Sequence, residues 1–329
     1  RDGFDAQAGQ AMDLYLSDDD KKDSALLASL KKDMKRCYHQ IKASPSEYFL
    51  LGLRTLTASE RSEFLTDKFM YMTMGRLVPR KIHDLEIEDK FHFYSLAEKY
   101  FKRQCIGISR PEDYARFEKM VLSVHDVMLK PNNSSLGQGI EAWIINDKDE
   151  ARKAFDMMMA AGGRWIVEER IHQCKEMAAW NETSCNSIRF MSFLNKDGFH
   201  AVTPLIRTGR KGTVVDNAGS GGLFANVDVS TGKISTCGMD KMGRRYECHP
   251  DSGLTFKGWQ IPRYNELVKT VESMHREIMP SHPYIAWDMA LTDAGWVVIE
   301  CNWGQMGNQY IDHKGRRKEF LKYVYGNNA

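Results

Sequence analysis

Residues 284–304 read YIAWDMALTDAGWVVIECNWG, two apolar runs joined by Asp293, Ala294 and Gly295. Both runs are rich in aliphatic and aromatic residues and the link is a short glycine-containing turn, so the stretch predicts a β-hairpin. Ile285, Trp287, Val297, Val298 and Ile299 mark it as largely buried. Asp288, Glu300 and Asn302 interrupt this apolar pattern. Side chains alternate along a strand, so Glu300 and Asn302, two residues apart, share a face; with Asp288 on the facing strand they would present three oxygen ligands there. An unpaired carboxylate in an apolar interior is costly. Magnesium prefers oxygen ligands and takes one or two carboxylates together with substrate phosphates. A bound cation is therefore the expectation, against the bland alternative of polar residues on a wet sheet face. Trp287, Ile299 and Cys301 are expected to pack on the other side.

The rest of the chain has an ordinary globular composition. Its 329 residues are 42% hydrophobic and 27% charged, enough for two or three subdomains. Lys and Arg number 46 against 44 Asp and Glu, a formal net charge of +2, so no global field recruits nucleic acid or an anionic membrane. Seven cysteines, at 37, 105, 174, 185, 237, 248 and 301, include no C-x-x-C pair. Their odd number and scatter argue against a disulfide framework or a standard zinc site and point to a reducing cytoplasm. No apolar run approaches the ~20 residues that span a bilayer. The start, RDGFDAQAGQ, lacks the basic-then-apolar pattern of a signal peptide, so a soluble, cytoplasmic protein is expected.

Between Asp23 and Lys42, Leu26, Leu27, Leu30, Met34, Cys37, Tyr38 and Ile41 recur at helical spacing. Pro45 interrupts this helix, and Thr57 with Glu60 has capping-box spacing before further helix. Residues 1–75 thus read as an all-helical N-terminal part. From 76 to 329 the pattern is α+β, with a first subdomain over about 76–170 and a second over 171–329. HDVMLKP, RWIVEERI, NSIRFMSFL, FHAVTPLIRTG and GLFANVDV read as strands. DKFHFYSLAEKYFKRQ, DKDEARKAFDMMMAAGG and PRYNELVKTVESMHREIM read as helices.

Three further constellations could carry chemistry. In VMLKPNNSSLGQGI, Lys130 ends a strand and a loop with Gly137 and Gly139 follows. Glycines let backbone N–H groups approach phosphate oxygens, and the lysine adds fixed charge. Alone, a G-x-G turn between two strands is more often a plain structural link, and no G-K-[ST] follows to make a Walker A loop. RWIVEERIHQCKE offers Glu168, Glu169 and, seven residues after the latter, Glu176. A strand edge can hydrogen-bond an adenine and a carboxylate can accept from ribose hydroxyls, but taken without context a solvated charged strand end is the preferred reading. Arg189, Arg207 and the loop VVDNAGSGG, with Asp216, Asn217, Gly221 and Gly222, complete the set. Basic side chains opposite a metal–phosphate site can hold a phosphoryl group or an oxyanion, and arginines paired to surface carboxylates are the alternative.

The order of these pieces, over about residues 80–310, resembles the ATP-grasp superfamily of carboxylate-amine ligases and in particular its sugar-transfer associated subgroup. The points of likeness are Asp89-Lys90 before FHFYSLAEKYF, Lys130 with SSLGQG, the Glu169 to Glu176 separation, and the D...E-x-N set of Asp288, Glu300 and Asn302. VVDNAGSGGLF, HPDSGLTFKGWQIP and WDMALTDAGWVVIECNW resemble signature blocks of the subgroup. The resemblance implies an ATP-grasp fold in which two α+β subdomains clasp ATP with two magnesium ions. It places Lys90 and Lys130 on the α and β phosphates under a lid containing Ser135, Gly137 and Gly139. Glu168, Glu169 and Arg170 fall at the adenine side, Glu176 at the ribose, and Asp288, Glu300 and Asn302 on the metal. Arg207, with Arg189 and Asn217 nearby, would stabilise an acyl phosphate formed on a small-molecule carboxylate before an amine attacks it. A kinase acting on a hydroxyl and a silent nucleotide-binding partner of glycosyltransferases are the competing readings. No nucleic acid or membrane partner is implied, and an oligomer is possible. The sequence departs from the superfamily where CNWGQMGNQ follows the metal strand without the usual proline, and residues 1–75 have no counterpart among the familiar ligases.

Overall fold

The computed structural model describes residues 2–132, 139–213, 216, 219, 221–304 and 307–326. Helices come first: α1 (Asp2–Tyr15), α2 (Ser24–Ile41), α3 (Pro45–Leu50), α4 (Ala58–Arg61), α5 (Asp67–Leu77), α6 (Arg80–His83) and α7 (Lys90–Phe101). Their boundaries follow local chemistry. The Asp23 carboxylate accepts from the backbone N–H groups of Ala25 and Leu26 at the start of α2, whose stripe of Leu30, Met34, Cys37 and Ile41 is buried. Pro45 opens α3 at a position where its missing N–H costs nothing. Thr57 and Glu60 form the expected capping box of α4. Between α6 and α7 the segment Asp84–Glu88 makes one π-helical turn, and the Asp89 carboxylate then caps α7.

Two antiparallel sheets follow. The first has the order β1-β4-β2-β3, from β1 (Cys105–Ile108), β2 (Asp126–Pro131), β3 (Glu141–Ile144) and β4 (Trp165–Glu169). α8 (Tyr114–Val124) and α9 (Lys148–Ala161) cover one face of it, where Phe117, Val121, Phe155 and Met158 pack with Val127, Leu129 and Val167. The second sheet runs β11-β10-β5-β6-β7-β8-β9. Its strands are β5 (Ser187–Asn195), β6 (Gly198–Thr208), β7 (Leu223–Asn226), β8 (Gly238–Met239), β9 (Arg245–Tyr246), β10 (Tyr284–Thr292) and β11 (Gly295–Asn302). The remaining helices are α10 (Lys175–Ala178), α11 (Tyr264–Ile278), α12 (Asn308–Asp312) and α13 (Arg317–Tyr325). Helical structure thus continues through α7, and buried side chains of α1 to α7 share one apolar core with the second sheet.

The hairpin of residues 284–304 is β10 and β11. Asp288 lies opposite Glu300 and Ala286 opposite Asn302, so the three polar residues share a face, while Trp287 pairs with Cys301 on the other. The expected strict alternation fails at one point. The register slips between Asp288 and Met289, because Met289 faces Val298. Ile299 is therefore the supernumerary residue of a β-bulge and only half-buried, rather than a core residue alongside Trp287 and Cys301. β10 is buried on both faces except at Thr292.

Candidate functional site

β10, β5 and β6 are neighbours in the second sheet, and this adjacency brings Asp288, Arg189 and Arg207 together. Arg189 lies directly opposite Asp288. Its Nε donates to Asp288 Oδ1 and its Nη2 to Oδ2, both at 2.9 Å. Arg207 Nη2 lies 2.8 Å from the same Oδ2. Burial alone would push the Asp288 carboxyl up, but the two guanidiniums outweigh it and hold it at about 2. Arg207 also donates from Nε and Nη2 to Ser187 Oγ, at 3.1 and 3.0 Å. The Asp216 carboxylate accepts from the Ser187 backbone N–H and hydroxyl at 2.9 and 2.5 Å; burial raises its pKa.

Glu300, next to the bulge, is the more accessible carboxylate, with its side chain 44% exposed and Oε2 3.8 Å from Lys90 Nζ. Lys90 is the first residue of α7, so the capped helix start places it beside β11. Asn302 Oδ1 accepts from the Gly304 backbone N–H. A Cβ on Gly304 would clash with Asn302 Oδ1 and stand 3.0 Å from Arg189 Nη1, so a side chain here would displace both. Among the described residues no three His, Cys, Asp or Glu side chains stand within reach of one ion; the third donor of the expected metal set is an amide. Two carboxylates and an amide oxygen suit a hard divalent cation. The arginines occupy three of the roughly four acceptor positions of the Asp288 carboxylate, leaving one on Oδ1. The set therefore fits magnesium with Glu300 and Asn302 as the freer donors.

The first sheet contributes the other wall. Lys130 on β2 and Glu168 on β4 stand on adjacent strands, and Lys130 Nζ is in contact with Glu168 Oε1. Glu168 is buried and not the solvated strand end that the sequence allowed; its second oxygen accepts from Arg103. Glu169 turns outward, where its carboxylate accepts from the Gln104 backbone N–H at 3.1 Å. The Arg170 backbone N–H donates to Asp126 O and its Nη2 to Thr183 O. Glu176 sits exposed in α10. Gly139 has φ +70, a conformation that needs glycine. Ser135, Gly137 and Asn217 lie outside the described residues.

Two residues went unread in the sequence, and for a third, Trp303, only its place in an unusual tail was read and not its packing. Arg103 stands in a run of basic residues between helix and strand, with no spacing to single it out. Ser187 is an ordinary strand residue until Asp216 and Arg207 converge on it. Trp303, directly after Asn302, is buried against the helical N-terminal part, its ring centroid 4.1 Å from that of His83 and 6.1 Å from that of Tyr71. Its Nε1 donates to His282 Nδ1 at 3.2 Å, and His282 Nε2 donates to Glu86 at 2.8 Å. The N-terminal helices thereby hold the end of β11.

The matched family spans both walls of this cleft: a model of the sugar-transfer associated ATP-grasp family matches residues 74–318. No curated protein matches the chain. Among solved structures it is similar to D-alanyl-alanine synthetase A from Vibrio cholerae, at 12% identity and TM-score 0.45, over 73% of this chain and 65% of that one. It is also similar to D-alanine–D-alanine ligase from Bacillus anthracis, at 15% identity and TM-score 0.42, over 72% and 64%. For L-amino acid ligase from Bacillus licheniformis the values are 12%, 0.42, 68% and 42%. The chain spans less than two thirds of the length of each. No helix among the described residues is long and apolar enough to cross a membrane. With the family match covering well over half of its length, and with an α+β fold behind a helical N-terminal part, the chain belongs to the sugar-transfer associated ATP-grasp family.

Proposed function

We propose that the protein is an ATP-dependent ligase that activates a small-molecule carboxylate as an acyl phosphate and joins it to an amine. The observation that carries this reading is a cluster in which Lys90, Glu300, Asn302 and the Arg189–Asp288–Arg207 group stand on the side of the second sheet and Lys130, held by Glu168, on the side of the first. Lys90 and Lys130 would neutralise the α and β phosphates. Ser135, Gly137 and Gly139 would cover them, with Glu169 and Arg170 beside the adenine and Glu176 at the ribose. Glu168, held by Arg103 and Lys130, would act on the nucleotide through the lysine.

A magnesium ion on Glu300, Asn302 and Asp288 Oδ1 would draw charge from the phosphates and stabilise the leaving ADP. An oxygen of the substrate carboxylate attacks the γ-phosphorus as the bond to ADP breaks; the amine then attacks the acyl carbon, phosphate leaves, and the amine proton passes to solvent. Arg189 and Arg207 are held in place by Asp288 and Ser187, so their remaining N–H groups face the reaction without reorganising, which is how preorganised donors lower a barrier. Asn217 would contribute from the adjoining loop. The tail after Asn302, clasped by Tyr71 and His83, borders the acceptor side.

Hydroxylamine trapping with ATP, magnesium and a panel of carboxylates tests the reading. A hydroxamate together with ADP is the expected result. A stable phosphorylated product would instead identify a kinase, and absence of ADP with every acceptor would leave a binding module.

A further inference from the structure

Arg103, in the link between α7 and β1, has the most completely used guanidinium in the cleft, and its side chain is only 5% exposed. Nε donates to Glu168 Oε2 at 2.9 Å and Nη2 to the same oxygen. Nη1 donates to the backbone carbonyls of Phe101 at 3.1 Å and Val298 at 2.8 Å, and the guanidinium carbon lies 4.2 Å from the centre of the Phe101 ring. Glu168 in turn holds Lys130 through its other oxygen. Val298 is the residue on β11 from which the bulge and then Glu300 follow. One side chain therefore touches a strand of each sheet, at the two points where the proposed phosphate and metal groups originate.

A buried ion pair is a poor choice for stability alone, because apolar side chains of similar volume usually serve as well or better. A guanidinium has a different merit: its five donors sit in a rigid planar fork that fixes several acceptors at once. We infer that Arg103 is a positioning residue for the nucleotide. Through Glu168 it sets the ammonium of Lys130, and through the Val298 carbonyl it sets the bulge that aims Glu300. The phosphates are thereby met from both sheets at a fixed separation. This inference rests on the nucleotide reading above.

The test compares MgATP and adenosine binding by calorimetry for the full chain, Arg103→Lys, Arg103→Met and Glu168→Gln, with a thermal melt for each. Selective loss is expected: Kd for MgATP rises about tenfold or more in Arg103→Met, the range seen when a supporting partner of a binding group is removed, while Kd for adenosine stays within about twofold. Arg103→Lys keeps the charge but not the fork and falls between wild type and Arg103→Met. Glu168→Gln repeats the selective loss, and decides the matter should Arg103→Met fail to fold. The role is overturned if folded variants bind MgATP as the wild type does, or lose MgATP and adenosine in equal proportion, as a purely structural residue would. Absence of MgATP binding in the wild type would remove the nucleotide reading itself, an outcome distinct from normal binding by the variants.

Discussion

Asp288 is pulled two ways, by burial that favours its neutral form and by two guanidiniums that favour its anion. The guanidiniums prevail, so its carboxyl titrates near 2 when folded against 3.8 in the reference state. A depressed acid contributes stability above the unfolded value, and that contribution is lost as pH falls from 3.8 towards 2. Its size is about 2 kcal/mol. Denaturant midpoints followed over this window should fall more gently in Asp288→Asn than in wild type. At neutral pH the same variant should lose about 3 kcal/mol, because two buried guanidiniums are left without their counter-charge. Glu300 behaves differently, being half exposed and only loosely paired with Lys90. Glu300→Ala should abolish ADP release yet melt within about 1 °C of wild type; retained turnover would remove it from the metal set. Polar residues out of place in apolar strands were legible in the sequence because burying them is costly. Arg103 was not, since a basic residue in a link between elements looks the same whether its fork is buried or in water.

At the scale of elements, alternation located β10 and β11 but could not locate the bulge. The run Val297-Val298-Ile299 is apolar throughout, so one extra residue leaves no mark in the pattern and becomes visible only against the partner strand. Beneath the hairpin, Trp287 Nε1 donates to Ser192 Oγ, and the Ser192 hydroxyl lies 2.8 Å from His275 Nδ1. His275 Nε2 lies 2.8 Å from the carbonyl of His282, which can only accept, so the proton sits on Nε2 and Nδ1 accepts from Ser192. Burial holds this histidine neutral, with its pKa lowered from 6.5 to about 4. The unfolded chain takes up a proton below 6.5 that the folded chain refuses, so stability is intact above 6.5 and falls as pH drops towards 4. The loss attributable to this group is about 3 kcal/mol. Unfolding free energies of His275→Gln measured across the window should show a correspondingly shallower slope; an unchanged slope would mean that the folded ring titrates normally.

For the whole molecule, local pattern gave most strands but neither their order nor the company the N-terminal helices keep. Sheet neighbours and shared cores are set by long-range contacts that no window of sequence contains. The helices α1 to α7 contribute Met34, Tyr48, Met70, Met74 and Phe93 to the core of the second sheet. A chain lacking residues 1–75 is therefore expected to expose that core and aggregate; a monomer with a native circular dichroism spectrum would contradict this. The first sheet has a core of its own. Its backbone enters at Gln104 and leaves at Glu169, and these crossings are bonded side by side, Glu169 N to Gln104 O at 2.9 Å. At the opposite end of β4 and β2, Arg164 pairs with Asp89 at 2.7 Å and the Asn132 amide oxygen accepts from the Phe91 backbone N–H at 3.2 Å. One end is thus joined by the chain itself and the other only by side-chain contacts, made beside Lys90. With Arg164 half exposed, that ion pair contributes roughly 0–1 kcal/mol and weakens in salt. Raised ionic strength thus weakens the side-chain end while leaving the covalent end as it is.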